Sequence, residues 1–198
     1  MMVKICGITN LEDALAAAEG GASALGFNFH PPSPRYIKPE AAAGITARLP
    51  AGMWKVGVFV NEPPAAIEVI LAAAGLDIAQ LHGDEQPEAL AGKGRFWKAF
   101  RVAPGFAGAG LARYPAEAFL LDAPAESYGG SGETFDWNLV RGLPHKIILA
   151  GGLDATNVGA AIEAVRPWGV DACSRLESAP GRKDRNKVTE FIKAALAA

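Results

Sequence analysis

The chain has 198 residues, 50% of them hydrophobic and 20% charged, a composition with enough apolar residues for a sizeable core. A formal net charge of -2, with no basic amphipathic stretch, gives no electrostatic case for nucleic acid as a partner. No apolar run is long enough to span a bilayer, and the N-terminus enters strand-like residues at once, so neither a membrane span nor a signal peptide is expected.

Residues 3–6 are predicted as a short apolar strand. Gly7 turns the chain, and Asn10 or Thr9 caps a helix over LEDALAAAEGGA, a run rich in strong helix formers. ALGFNF (24–29) is a second strand, followed by HPPSPRYIK, too rich in proline to be regular. A helix from Pro39 to near Leu49 leads to strand three, WKVGVFV (54–60), and Pro63-Pro64 opens the helix AAIEVILAAAG. Strand four (77–81) ends in His82-Gly83, a short helix follows Pro87, and strand five covers 96–102. Glycines weaken a helix predicted near 105–114. Strand six, EAFLLD (117–122), enters the Gly-rich loop APAESYGGSGETFDW, long enough to be functional, and a short helix begins near Asp136. Strand seven (146–150) runs into Gly151-Gly152 and a helix from about Asp154. Strand eight (169–173) is followed by a polar turn and a last helix from about Asp184.

Eight short apolar strands alternating with helices suit strands buried on both faces and predict a closed (β/α)8 TIM barrel. An open doubly wound sheet is the runner-up, but the dinucleotide fingerprint GxGxxG is absent after strand one. No Pro/Gly/Ser linker or charge run divides the chain, so residues 1–198 read as one domain. The two cysteines, Cys6 and Cys173, suggest neither a disulfide framework nor a metal site, which fits a reducing cytoplasm.

Active sites of such barrels lie at the C-terminal ends of the strands. The first polar residues there are Cys6, Arg35, Gln80, His82, Asp122, Gly151, Gly152 and Ser174. Each has a plain structural reading: a buried small hydrophobe for Cys6, a surface residue for Arg35, a turn residue for His82, a loop anchor for Asp122. Gly151-Gly152 either serves a strand-to-helix turn or leaves room for an oxygen beside clustered backbone N–H groups, as in a phosphate site after strands seven and eight. Together a thiol, a carboxyl, a guanidinium and a Gly-Gly turn on one rim permit proton transfer on a phosphorylated substrate. A thiolate is a competent base where its surroundings lower its pKa, and a carboxyl an acid near neutrality where burial or negative charge raises it. No metal cluster, redox motif or Ser-His-Asp order is present.

The stretches KICGIT (4–9), GFNFHPPSPRYI (26–37), VGVFVN (56–61), QLHGDE (80–85), LLDAP…GGSGETFDW (120–137) and LAGGLDATNV (149–158) resemble the phosphoribosylanthranilate isomerase family of tryptophan biosynthesis. They occur in that family's order and cover nearly the whole chain. The resemblance implies an Amadori rearrangement of N-(5'-phosphoribosyl)anthranilate without a cofactor or metal. It implies Asp122 as the general acid that protonates the ring oxygen and Cys6 as the general base that removes the C2' proton. It also implies Arg35 at the anthranilate carboxylate, Gly151, Gly152 and the segment around Ser174 at the phosphate, and His82 as a wall residue. The implied molecule is a cytoplasmic monomer or homodimer that meets a small phosphorylated substrate and neither nucleic acid nor membrane.

The family usually reads GVDVSSGVES where this chain reads GVDACSRLES. Cys173 for Ser is mild, but Arg175 stands at an expected Gly of the phosphate loop. If that position needs φ > 0, Arg175 strains the backbone by about 1–3 kcal/mol. If the loop is reshaped, its guanidinium can bind phosphate directly. Two other readings remain open: an isomerase acting on the analogous aminoaldose phosphate of histidine biosynthesis, against which Cys6 argues because such relatives use paired aspartates, and a catalytically silent barrel that binds a phosphorylated ligand.

Overall fold

The computed structural model describes residues 1–90, 94–124 and 134–198. Eight parallel strands close into a barrel in chain order. They are β1 (Met2–Ile5), β2 (Ala24–Asn28), β3 (Trp54–Phe59), β4 (Ile78–Leu81), β5 (Phe96–Arg101), β6 (Ala118–Asp122), β7 (Ile147–Leu149) and β8 (Gly169–Ala172). β8 pairs with β1 in the register Lys4↔Asp171 and Ile5↔Ala172, which closes the ring.

Successive side chains on a strand face opposite sides, and the apolar residues divide accordingly. Met2, Ala24, Ile78, Trp97, Leu120 and Ile148 belong to a cluster that includes no helix residue, and this cluster fills the barrel interior. Val3, Ile5, Leu25 and Phe119 belong to the other cluster, shared with helix residues such as Ala14, Ile45 and Phe191. Toward the N-terminal end of the barrel, Trp97 stands 5.9 Å from Trp54 and meets Trp168 edge-on at 6.0 Å. Toward the C-terminal end the interior turns polar, with Lys4, Gln80 and Asp171 buried there.

The helices are α1 (Leu11–Glu19), α2 (Pro39–Thr46), α3 (Pro64–Ala74), α4 (Pro87–Leu90), α5 (Val158–Val165) and α6 (Arg185–Ala197). Of the two caps predicted for α1, Asn10 is the one formed: its side-chain oxygen accepts the Asp13 N–H at 2.9 Å. The helix predicted from Asp154 begins only at Val158, because a turn comes first in which the Asn157 side chain accepts the Asp154 N–H and the Asp154 side chain accepts the Thr156 N–H. The helices predicted near 105–114 and from Asp136 are instead 3-10 segments, Gly108–Arg113 and Trp137–Val140. Gly105, Gly108 and Gly110 in the first make a longer helix costly. The polar turn predicted after β8 is a 3-10 turn, Ser174–Leu176, and a hairpin of β9 (Glu177–Ala179) with β10 (Arg182–Lys183). Most of the Gly-rich loop after β6 lies outside the described residues. Among the described residues no helix is long and apolar enough to cross a membrane.

Candidate active site

One cleft at the C-terminal rim is lined by all nine residues singled out there in the sequence: Cys6, Arg35, Gln80, His82, Asp122, Gly151, Gly152, Ser174 and Arg175. Cys6 lies one residue beyond β1, and its N–H continues the ladder by donating to the Ala172 carbonyl at 2.9 Å. Its neighbour on the β2 side is Gly26, where an added Cβ would stand 2.7 Å from the Cys6 Sγ and 3.0 Å from the Lys4 Nζ. Only glycine leaves room there for both the thiol and the ammonium beneath it.

The surroundings of Cys6 hold its thiol well below the ordinary range. The hydrogen bond from Cys173 is the largest cause, burial opposes it, and the Lys4 ammonium adds charge and a further hydrogen bond, with Lys183 behind it. Cys173, in turn, is pushed well up by that same hydrogen bond and by burial, so Cys6 is the more readily ionised of the two thiols. Lys4 also donates to the Asp171 Oδ1 at 2.9 Å. Burial disfavours the Lys4 charge, but the negative groups at Asp171 and Cys6 outweigh it and raise its pKa. Burial pushes the Asp171 carboxyl up to about 7 against the pull of Lys4, and the charge on Cys6 adds to the rise.

Asp122 ends β6 on the far side of the mouth. Its Oδ1 accepts the Ala123 N–H at 2.8 Å, so the loop-anchor reading is true of one oxygen. Its Oδ2 stands 3.5 Å from the His82 Nε2, and the side chain keeps 23% of its exposure. The His82 Nδ1 lies 3.5 Å from the Gln80 Nε2. His82, expected as a wall residue, thus faces the carboxyl expected to act as acid. The Gln80 Oε1 is buried without a hydrogen-bond partner among the described residues.

Arg35 is held in a two-pronged pair: its Nε and Nη2 donate to Glu177 Oε1 and Oε2 at 2.8 and 2.7 Å. Glu177 also pairs with the Lys183 Nζ at 3.1 Å. Opposite, Gly151 and Gly152 have φ of 87° and 59°. A Cβ on Gly151 would stand 2.5 Å from the Ala123 nitrogen, so the turn can lie against the start of the β6 loop only as glycine. Arg175 belongs to the Ser174–Leu176 turn and is not among the residues with positive φ, so the strain that the sequence raised as an option is absent. Its Nη1 stands 3.3 Å from the Asp154 Oδ2, linking the β7 and β8 loops, and 48% of the side chain remains exposed. Burial works to raise the Asp154 pKa, but the Thr156 hydroxyl and N–H, the Arg175 charge and the backbone at Asn157 together hold it below the usual carboxylate value.

Sequence reasoning passed over Lys4, Asp171, Glu177 and Lys183. Lys4 and Asp171 stand in apolar strands, where a charge at an inward-facing position was the available signal. Glu177 and Lys183 are brought in by the hairpin, which carries no comparable mark in the sequence. Among the described residues no group of three or more His, Cys, Asp or Glu side chains is placed to hold a metal ion.

The site sits in a fold whose relatives can be named. The family model for N-(5'phosphoribosyl)anthranilate (PRA) isomerase matches residues 3–194. An N-(5'-phosphoribosyl)anthranilate isomerase of Solibacter usitatus is 57% identical over 199 residues, covering 100% of this chain and 98% of its own. The crystal structure of phosphoribosyl anthranilate isomerase from Thermotoga maritima superposes with a TM-score of 0.90 at 43% identity, covering 100% of both chains. A phosphoribosyl anthranilate isomerase in complex with reduced 1-(o-carboxyphenylamino)-1-deoxyribulose 5-phosphate has a TM-score of 0.87 at 40% identity, again over 100% of both chains. Barrel, rim residues and whole-length likeness agree, and the chain belongs to the N-(5'-phosphoribosyl)anthranilate isomerase family.

Proposed function

We propose that the chain carries out the reaction its family is named for through Cys6 as general base and Asp122 as general acid. That reaction converts N-(5'-phosphoribosyl)anthranilate to 1-(2-carboxyphenylamino)-1-deoxyribulose 5-phosphate in tryptophan biosynthesis. Asp122 gives a proton to the furanose ring oxygen, the bond from that oxygen to C1' breaks, and the anthranilate nitrogen carries the resulting iminium. The Cys6 thiolate takes the C2' proton, and its electron pair moves to form the enolamine. Tautomerisation then places a proton on C1' and leaves the ketone at C2'.

The observation that carries this reading is a thiol and a carboxyl, Cys6 and Asp122, lining the same cleft, with Cys173 and the Lys4 ammonium beside the thiol lowering its pKa. With Nε and Nη2 fixed by Glu177, Arg35 offers its Nη1 edge to the anthranilate carboxylate. The Gly151-Gly152 turn and the Ser174–Leu176 turn flank the place for the phosphate, and Arg175 adds a positive charge there. The strands and closing helix run from Met2 to Ala197, which supports residues 1–198 as one domain. A cytoplasmic location belongs to this reading, supported by two cysteines present as free thiols.

The test is loss of the substrate's anthranilate fluorescence with wild type, Cys6→Ser and Asp122→Asn. Wild type turns over, and each variant loses about 100- to 10,000-fold in kcat, the usual worth of a general acid or base. Near-full turnover by Cys6→Ser refutes the base, since an alcohol is far harder to ionise than this thiol. Near-full turnover by Asp122→Asn refutes the acid.

A further inference from the structure

We propose that Cys6 and Cys173 are a peroxide-reactive pair that closes to an intramolecular disulfide and reversibly removes the base from the active site. Formation of the bond rests on geometry alone; its effect on turnover rests on the assignment of Cys6 as base.

The β1–β8 register runs Lys4↔Asp171 and Ile5↔Ala172, and the Cys6 N–H to Ala172 carbonyl bond carries it one step further. Cys6 and Cys173 are therefore the next register pair, on adjacent parallel strand ends. Neighbouring strands lie about 4.8 Å apart, and a disulfide joins Cα atoms about 4.4–6.8 Å apart. Side chains at paired positions of parallel strands leave the sheet on the same side, so the two thiols lie next to each other inside the mouth of the barrel. No side chain stands on the other flank of Cys6, because its β2 neighbour is Gly26. The Cys173 sulfur rests over Gly7, where an added Cβ would stand 2.9 Å away, so it is confined beside Cys6.

Both cysteines line the open cleft, which gives a small oxidant access. The pair is also surrounded by positive charge. The Lys4 ammonium lies beneath Cys6, and the Lys183 Nζ is 3.8 Å from the Cys173 Sγ and 3.1 Å from the Cys173 carbonyl oxygen. Such a setting favours thiolate chemistry.

The oxidant is hydrogen peroxide. The Cys6 thiolate attacks one peroxide oxygen, the O–O bond breaks, and Cys6 becomes a sulfenic acid while the departing hydroxide takes up a proton to form water. The Cys173 sulfur, giving up its proton, attacks the Cys6 sulfur. The S–O bond breaks, and the hydroxide leaves as a second water with that proton. Two thiols have lost two electrons and one peroxide has been reduced to two waters. A dithiol reductant reverses the step by exchange.

The experiment treats the reduced full-length protein with hydrogen peroxide, removes the excess with catalase, and reads intact mass, free thiols and turnover before and after dithiothreitol. Wild type is expected to lose both thiols and the mass of two hydrogens with no oxygen gained. Its turnover falls about 100-fold or more, and dithiothreitol restores thiols and turnover together. Cys173→Ser is expected to gain oxygen at Cys6 and, with no second thiol to intercept the sulfenic acid, to go on to sulfinic and sulfonic acids that dithiothreitol does not reduce. A wild-type protein that gains oxygen, or keeps both thiols under conditions that oxidise Cys173→Ser, overturns the pair. A wild-type protein that forms the disulfide and still turns over overturns the lock, and with it the assignment of Cys6 as base. The wild-type mass does not depend on how the variant folds.

Discussion

Cys6 owes its lowered pKa to three neighbours that only the folded chain assembles: Cys173 just beyond β8, Lys4 two residues back on β1, and Lys183 from the hairpin. Lys4 is the one whose contribution is purely a charge and a hydrogen bond to the thiolate. Replacing it with Gln removes the charge while keeping a polar group in a fully buried place. Lys4→Gln therefore raises the pH at which Cys6 ionises, since a thiolate beside a neutral amide is less favoured than one beside an ammonium. The rate of iodoacetamide labelling of Cys6 against pH reads this directly, and an unchanged midpoint contradicts the role given to Lys4. Cys6 and Asp122 were visible in the sequence as polar residues that end an apolar run, and Arg35 as the cation of the proline-rich segment that follows strand two. Lys4 and Glu177 were not, since what they do depends on partners 167 and 142 residues away.

Among the elements, the turn after β7 has little freedom. Gly151 combines φ of 87° with a Cβ position 2.5 Å from the Ala123 nitrogen, so any side chain meets backbone as well as unfavourable torsions. Gly151→Ala is expected to cost about 1–3 kcal/mol of stability, in the range for a strained backbone residue. It is also expected to raise KM for the phosphorylated substrate. Urea unfolding and steady-state kinetics check the two; a variant with wild-type midpoint and KM shows that the turn is not fixed as described. The eight strands were legible because short apolar runs between polar turns have few other uses. The 3-10 form of the segments after β5 and β6 was not: glycine content argued against a regular helix in the first without naming what replaces it, and the second read simply as a short helix. The β9–β10 hairpin escaped because ESAPGRK lacks the alternating apolar pattern of a strand; its function is to bring Glu177 and Lys183 to the mouth of the barrel. Arg175 could be located in the sequence but not judged there, because whether its position demands φ > 0 is set by the turn it occupies.

At the scale of the whole molecule, the barrel buries the Lys4–Asp171 contact between its first and last strands, and the Asp171 carboxyl links folding to pH. Burial raises the folded-state pKa of Asp171 to about 7, whereas an unfolded aspartate ionises near ~3.9. Between those values the folded chain holds a proton that the unfolded chain releases. The Asp171 contribution to stability is thus fully present below the unfolded value and is lost as pH rises toward 7. Asp171→Asn removes this term, so its urea midpoint falls less than that of wild type between about pH 4 and pH 7. Parallel curves for the two proteins contradict the raised value.

Cys6 has the opposite sign: its folded pKa is depressed, so the thiolate persists as pH falls until that lowered value is crossed, and turnover falls with it. The most direct test compares two curves measured on the same protein, the pH dependence of Cys6 labelling by iodoacetamide and the acid limb of kcat/KM for N-(5'-phosphoribosyl)anthranilate. The account predicts that they share one midpoint, well below the ~8.5 of a free cysteine. Full turnover at a pH where Cys6 is still a thiol contradicts it.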